Sequence, residues 1–163
     1  MEIDGKDRFM MILGIDPGRD KTGWALVNYD GDLFSSGICP VPEQELFLEA
    51  LALGPCCWER KLSPWVTEKT NLRVVQPEEL SLVAVGNGTG SPEAIKLFER
   101  LGVGIIAVDE VGTTLEAREL YWSLYVPSWR QRCLPRIMRL PPRSLDDLAA
   151  WVIAKRSLEV FRV

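Results

Sequence analysis

The sequence predicts one α/β domain with a mixed five-stranded sheet flanked by helices, in which three antiparallel strands are followed by two parallel ones. The chain has 163 residues, the length of one ordinary domain. Residues 9–15 form an almost unbroken apolar run, as expected for a central strand covered on both faces. The apolar runs 82–85 and 103–108 each lead toward a helix start, which indicates buried parallel strands. We therefore expect residues 1–163 to form a single domain that begins with a flexible tail, residues 1–8.

The first half of the chain predicts the antiparallel part of this sheet. Pro17-Gly18 ends the first strand, and residues 22–29 and 33–39 are expected to pair with each other around an Asp30-Gly31 turn. A short helix with one apolar face follows. Residues 54–80 show no convincing period, so we expect either a loop or an inserted element there.

The second half predicts helices that alternate with the parallel strands. One helix starts at Ser91 before a proline, and Thr113 with Glu116 has the spacing of a capping box for a helix that runs to about Pro127. Ser144 is expected to cap the last helix. The apolar stripe of that helix comprises Leu145, Leu148, Ala149, Val152 and Ile153.

The composition limits the chemistry that the chain can perform. The chain contains no histidine, which excludes Ser-His and Cys-His nucleophiles and imidazole ligands for zinc. Catalysis would depend on carboxylates, whose oxygens suit hard cations such as Mg²⁺. No apolar run approaches the length of a membrane span, and the acidic start lacks the features of a signal peptide, so we expect a cytoplasmic protein.

Carboxylates occur at three places that the predicted fold would bring together. Asp16 ends the first strand, Asp109 and Glu110 end the last strand, and Asp146 with Asp147 begins the final helix. Strand ends of this kind meet at the carboxyl edge of an α/β sheet. Carboxylates gathered there repel one another, and a divalent cation would resolve the repulsion.

Each carboxylate also has a purely structural interpretation. Asp16 stands in a turn sequence and could bond its own backbone, while Asp109 and Glu110 could be solvated loop residues. Helical geometry places Asp146 at the edge of the apolar stripe and Asp147 nearly opposite it. Because Asp147 also has the spacing of a capping residue relative to Ser144, we expect Asp146 to be the ligand.

Two other segments could bind phosphate. The loop 86–90 precedes a helix start, and its backbone amides, with Asn87 and Thr89, either contact phosphate or simply form a tight turn. A later segment contains five arginines and no acidic residue between Trp129 and Ser144. These arginines either grip nucleic-acid phosphates, with Trp129 stacking on a base, or form a solvated surface. They are Arg130, Arg132, Arg136, Arg139 and Arg143.

Four blocks of the sequence resemble a known family. Residues 12–24 (ILGIDPGRDKTGW) are similar to the first hairpin of the RuvC-type Holliday junction resolvases. Residues 108–117 (VDEVGTTLEA) and 146–150 (DDLAA) look like motifs of the related YqgF (RuvX) family. Residues 86–89 (GNGT) are similar to a segment of the YqgF-like domain of the transcription accessory protein Tex.

The resemblance implies a ribonuclease H-like fold and a hydrolase that cleaves branched DNA or precursor ribosomal RNA with Mg²⁺ or Mn²⁺. It assigns the catalytic and metal-ligand roles to Asp16, to Asp109 or Glu110, and to Asp146. We expect two ions, and we leave open whether the chain forms a homodimer.

The sequence departs from the family pattern at three positions. RuvC-type enzymes have a glutamate where this chain has Gly86-Asn87 and a second helix acid where it has Arg143, and the YqgF pattern has arginine at Val111. A nucleic-acid-binding module without activity, like the Tex domain, is therefore one alternative. Another is a phosphate loop of the actin-like kinase type at residues 16–23, although one domain is short for that class.

Overall fold

The structure, a computed structural model, describes residues 10–69 and 79–161. The tail expected at residues 1–8, the start of the first apolar run and residues 70–78 of the uncertain segment lie outside the described residues. The strands are β1 (Met10–Pro17), β2 (Lys21–Asn28), β3 (Leu33–Pro40), β4 (Val66–Lys69), β5 (Glu79–Gly86) and β6 (Gly104–Val108). The helices are α1 (Gln44–Ala52), α2 (Pro55–Lys61), α3 (Ser91–Phe98), α4 (Thr113–Leu124), α5 (Trp129–Arg132) and α6 (Asp146–Phe161).

The strands form one mixed sheet in the order β4-β3-β2-β1-β5-β6. The first three strands are antiparallel, and β5 and β6 run parallel to β1, as predicted. The prediction of five strands is wrong, because β4 adds a sixth strand at the edge of β3. This strand has only four residues and follows Pro64 closely, so it shows no alternating pattern in the sequence.

The two faces of the sheet bury different helices. Helices α1 and α3 cover the face that carries Leu13 and Ile15 of β1. Helix α6 covers the opposite face, where Ile12 packs with Ile153 of the helix. Helix α4 packs on the outer side of α6. Alternation along β1 therefore determines that Asp16, four residues after Ile12, faces α6.

Small residues let α6 lie directly on the sheet. A Cβ atom added to Gly14 would overlap the carbonyl of Ala150, and one added to Gly23 would overlap the carbonyl of Asp146. Ala154 faces Gly14 one turn after Ala150. This close approach fixes the start of α6 against the ends of β1 and β2.

The structure corrects three helix boundaries. Helix α4 ends at Leu124 rather than near Pro127, and Thr113 is its first residue rather than its cap, because Gly112 occupies the cap position with φ 79°. Since α6 begins at Asp146, Ser144 lies one position before the cap, and its hydroxyl donates to the Asp146 carboxylate. None of the helices in the described ranges has the length and apolarity needed to cross a bilayer.

Candidate active site

Asp16 lies at the carboxyl end of β1, between the ends of two neighbouring strands. It pairs with Gly23 of β2, and the preceding residue of β1 pairs with Val85 near the end of β5. Because Gly23 has no side chain, the first turn of α6 lies over this pair of residues. The position of Asp16 therefore follows from the hairpin register and from the contact between α6 and Gly23.

Asp146 reaches the same place from the opposite direction. Asp146 is the first residue of α6, and a Cβ atom added to Gly23 would lie 2.9 Å from the Cβ atom of Asp146. Its side chain is one-third exposed. The structure thus brings together Asp16 and Asp146, which are 130 positions apart in the sequence, as the sequence predicts.

Glu110 completes the group of carboxylates, and two glycines make room for it. A Cβ atom on Gly86 would lie 3.0 Å from Glu110 Oε2, and one on Gly88 would overlap the carboxylate. Asn87, between these glycines, accepts the backbone N–H of Glu110 at 3.2 Å. The loop 86–90, for which both phosphate binding and a tight turn were considered, therefore lies against Glu110, and the side-chain oxygen of Asn87 holds the backbone of Glu110 in position.

The structure distinguishes Glu110 from Asp109. Glu110 lines the cleft beside Asp16, whereas Asp109 is exposed and its Oδ1 accepts the N–H of Val111 at 3.1 Å. The loop is anchored from both sides: Arg156 donates to the carbonyl of Asp109 at 2.6 Å, and Thr113 donates to that of Glu110 at 2.8 Å. Of the two residues, Glu110 has the position expected of a metal ligand.

Burial and two neighbouring carboxylates change the acidity of Asp16. The pKa of Asp16 is raised from 3.8 to about 7, first by burial and then by the negative charges of Asp146 and Glu110. The positive charge of Lys21 opposes this increase. Burial beside two other carboxylates therefore holds the pKa of Asp16 near neutrality, as is common at functional sites.

Lys21 is the neighbouring cation, and the sequence interpretation missed it. Its Nζ lies 2.8 Å from Asp146 Oδ2 and donates to Ser144 Oγ at 2.7 Å. The sequence does indicate this position, because Lys21 is two residues before Gly23 on the same strand and therefore lies on the same face of the sheet as Gly23.

Asp147 is placed differently from the prediction. It is fully buried, although the single apolar stripe placed it on the outer side of the helix. It accepts hydrogen bonds from Ser36 of β3 at 3.0 Å and from Arg143 at 2.7 Å, and Arg143 also binds Glu68 of β4 at 2.6 Å. The prediction failed because α6 is enclosed by the sheet on one side and α4 on the other.

The arginine-rich segment is only partly available to a ligand. Arg143 is committed to its two carboxylates, which argues against its predicted contact with nucleic acid. Arg139 donates to the carbonyls of Leu134 and Arg132 and so stabilises the segment itself. Of the residues predicted to contact nucleic acid in this segment, those that remain exposed are Trp129, Arg130, Arg132 and Arg136.

An open cleft of about 710 Å³ lies at this edge of the sheet. Asp16 and Glu110 form part of its wall, together with Thr89 and Arg19. Within residues 10–69 and 79–161, none of the five arginines predicted to bind phosphate lines it. The cleft therefore joins Asp16 and Glu110 to Thr89, one of the two candidate phosphate contacts in the loop 86–90.

The chemistry of these side chains fits a hard divalent cation. All the candidate donors are carboxylate oxygens, and glycines leave the Glu110 carboxylate unobstructed at Gly86 and Gly88. With the side chains as they stand, no group of three carboxylates or thiols in the described part of the chain could hold one ion. Asp146 instead forms an ion pair with Lys21, whereas Asp16 and Glu110 line the cleft.

Comparison with known proteins gives one relative by sequence. No protein-family model matches the chain. The crossover junction endodeoxyribonuclease RuvC of Teredinibacter turnerae is 28% identical over 100 residues, which make up 60% of this chain and 53% of the relative. The match thus spans about half the length of this curated relative.

Among solved structures, Thermus thermophilus RuvC in complex with a Holliday junction substrate is similar with a TM-score of 0.47 and 16% identity, covering 94% of this chain and 96% of that one. A second Thermus thermophilus RuvC structure has a TM-score of 0.47 and 15% identity, covering 93% and 95%. A ROK family glucokinase from Streptomyces griseus has a TM-score of 0.37 and 13% identity, covering 66% and 36%. The sheet topology gives the chain an α/β fold with a mixed sheet, and over 100 residues its sequence is similar to a RuvC-type Holliday junction resolvase.

Proposed function

We propose that this chain is a divalent-metal-dependent nuclease that hydrolyses phosphodiester bonds at the cleft beside Asp16. The observation that carries the proposal is the group formed by Asp16, Glu110 and Asp146, in which the pKa of Asp16 is raised to about 7 by burial and by its two neighbours. Such a group is stabilised by a bound cation. Because the chain has no histidine, carboxylates supply the general-base and ligand chemistry in this proposal.

Each carboxylate has a distinct part in this proposal. Asp16, in its ionised form, would hold the metal at the end of β1. Glu110 approaches from the β6 end and is held by the anchored loop, and Asp146 contributes from α6. When bound, Mg²⁺ or Mn²⁺ would supply activation of water and stabilisation of the leaving oxygen, and we propose two ions.

The proposed substrate is a nucleic acid with a branch, as the name of the Teredinibacter turnerae relative suggests. Structured RNA, such as a ribosomal precursor, is the alternative. Trp129 is 72% exposed, and the guanidinium of Arg130 lies 5.3 Å from its ring, so both can face a ligand. We propose that Trp129 stacks on a base while Arg130, Arg132 and Arg136 contact phosphates.

The experiment compares cleavage of a four-way DNA junction, a linear duplex of the same sequence and a structured RNA, each with MgCl₂ or MnCl₂. We expect the wild type to cleave a branched or structured substrate. Asp16→Asn and Glu110→Gln should each lower the rate more than about 100-fold, because each removes a proposed metal ligand. The matched control Asp109→Asn should retain activity, since this neighbouring carboxylate is exposed. Equal loss in all three variants would contradict the assigned roles.

A second candidate is a nucleic-acid-binding module without activity. It is favoured by the ion pair between Lys21 and Asp146 and by Arg143, which stands where the resolvases have a second acid. This candidate predicts salt-dependent binding of a four-way junction without cleavage in either metal. It also predicts no heat of Mn²⁺ binding in calorimetry, a result that would exclude the nuclease proposal.

A further inference from the structure

We propose that Lys21 is an internal cation that competes with the divalent metal for Asp146, so that metal binding requires Lys21 to leave this carboxylate. The inference rests on the proposed function, because it concerns the same carboxylates. It adds a residue of this chain that would determine how tightly the site binds its ion.

The contacts of Asp146 show that one of its carboxylate oxygens, Oδ2, is already engaged. Oδ2 lies 2.8 Å from Lys21 Nζ and accepts the hydroxyl of Ser144 at 2.5 Å. Lys21 also donates to Ser144 Oγ at 2.7 Å, so the three side chains form a closed triangle. A metal ion that uses Oδ2 must displace at least the ammonium group, because both cations seek the same lone pairs.

Lys21 acts on the whole group and not on Asp146 alone. Its positive charge also stabilises the ionised form of Asp16. In the absence of metal, Lys21 therefore supplies part of the positive charge that the carboxylates lack. An ammonium that stayed in place would repel an incoming divalent ion, which strengthens the competition.

The position of Lys21 allows it to be released. Its side chain is 46% exposed, and that of Asp146 is 33% exposed, so the pair lies at the surface of the group. Exposed ion pairs of this kind are weak and their long side chains are mobile. Lys21 can thus move into solvent without disturbing β2, whose backbone remains paired with β1 and β3.

The first test measures binding of Mn²⁺ alone by isothermal titration calorimetry. We expect Lys21→Met to bind Mn²⁺ about tenfold more tightly than the wild type, because both the competing ion pair and the charge repulsion are removed. Lys21→Arg, which keeps the charge, should bind like the wild type. The matched control is Lys69→Met, since Lys69 forms an exposed ion pair with Glu59, away from the carboxylates.

The second test measures the release of Lys21 directly, by labelling lysine amines with acetic anhydride and quantifying the peptides by mass spectrometry. Saturating MgCl₂ should increase labelling of Lys21 several-fold relative to Lys69 in the same sample. This measurement uses the wild-type protein, so it does not depend on how a variant folds.

The outcomes separate this inference from the nuclease proposal. If the wild type binds Mn²⁺ and Asp16→Asn abolishes binding, the metal site stands, and unchanged affinity in Lys21→Met then overturns the competition alone. Binding by Lys21→Met but not by the wild type would support the competition and favour the inactive module. If no protein, including Lys21→Met, binds Mn²⁺, both proposals are wrong.

Discussion

Replacing Arg143 with methionine should destabilise the fold through the carboxylate that it leaves behind. The side chain of Asp147 has no exposed surface, and its Oδ1 lies 2.7 Å from Arg143 Nη1. The side chain of Arg143 is itself only 25% exposed and also binds Glu68 at 2.6 Å. After the substitution, Ser36 is the remaining described hydrogen-bond partner of the buried Asp147 carboxylate.

The expected cost is about 3–5 kcal/mol of the free energy of unfolding, the range found when one partner of a buried ion pair is removed. This is a large share of the total of about 5–15 kcal/mol that is typical of such domains. The assay is urea unfolding at neutral pH, followed by circular dichroism. The double variant R143M/D147N should recover most of the loss, because it no longer buries an unpaired charge.

The matched control is Arg132→Met. Arg132 is exposed and its side chain donates to the carbonyl of Pro127, so its loss should change the free energy of unfolding by less than about 0.5 kcal/mol. A loss of less than about 1 kcal/mol in Arg143→Met, similar to a surface ion pair, would refute the argument that Asp147 is held as a buried charge.

Three further predictions concern the candidate site. Because the pKa of Asp16 is raised from 3.8 to about 7, the metal-free native state keeps a proton that the unfolded chain has lost, so its stability falls as pH rises between these values. Thermal unfolding of Asp16→Asn should lack this fall, and a pH slope equal to that of the wild type would contradict the raised pKa. In calorimetry, Gly88→Ala should weaken Mn²⁺ binding at least about tenfold, because the added Cβ displaces Glu110. Gly104→Ala should leave Mn²⁺ binding unchanged, since a Cβ there would make an ordinary 3.5 Å contact. Trp129→Ala should weaken single-strand binding by about 1–3 kcal/mol in a fluorescence titration if the ring stacks on a base; equal affinities would exclude stacking.

The sequence predicts the parts of the fold that depend on local pattern. The apolar run before Asp16 and the turn at Asp30-Gly31 predict the first hairpin, and its register is enough to place Lys21 on the face of Asp16, although this was overlooked. The edge strand β4 was not predictable in the same way. With only four residues, it depends on pairing with β3 rather than on a pattern of its own.

The sequence predicts the residues of the candidate site whose positions are determined by strand ends and helix starts. It does not predict those whose positions are determined by side-chain contacts. Asp16 and Asp146 follow from the sheet edge and the helix start. The choice of Glu110 over Asp109 depends on the hydrogen bond that the backbone N–H of Glu110 donates to the Asn87 side chain and on the space above Gly88, which no local pattern reveals. The sequence analysis wrongly predicted that Asp147 lies on the outer side of α6, because a helix buried on two sides has no single apolar stripe.

The most direct test of the central claim is anomalous X-ray diffraction from a crystal of the wild-type protein soaked in MnCl₂. The proposal predicts an anomalous peak within bonding distance of carboxylate oxygens of Asp16 and Glu110, with Lys21 no longer in contact with Asp146. A crystal in which these carboxylates remain without a peak at saturating MnCl₂, or in which manganese binds elsewhere on the chain, would contradict the proposed metal-dependent nuclease.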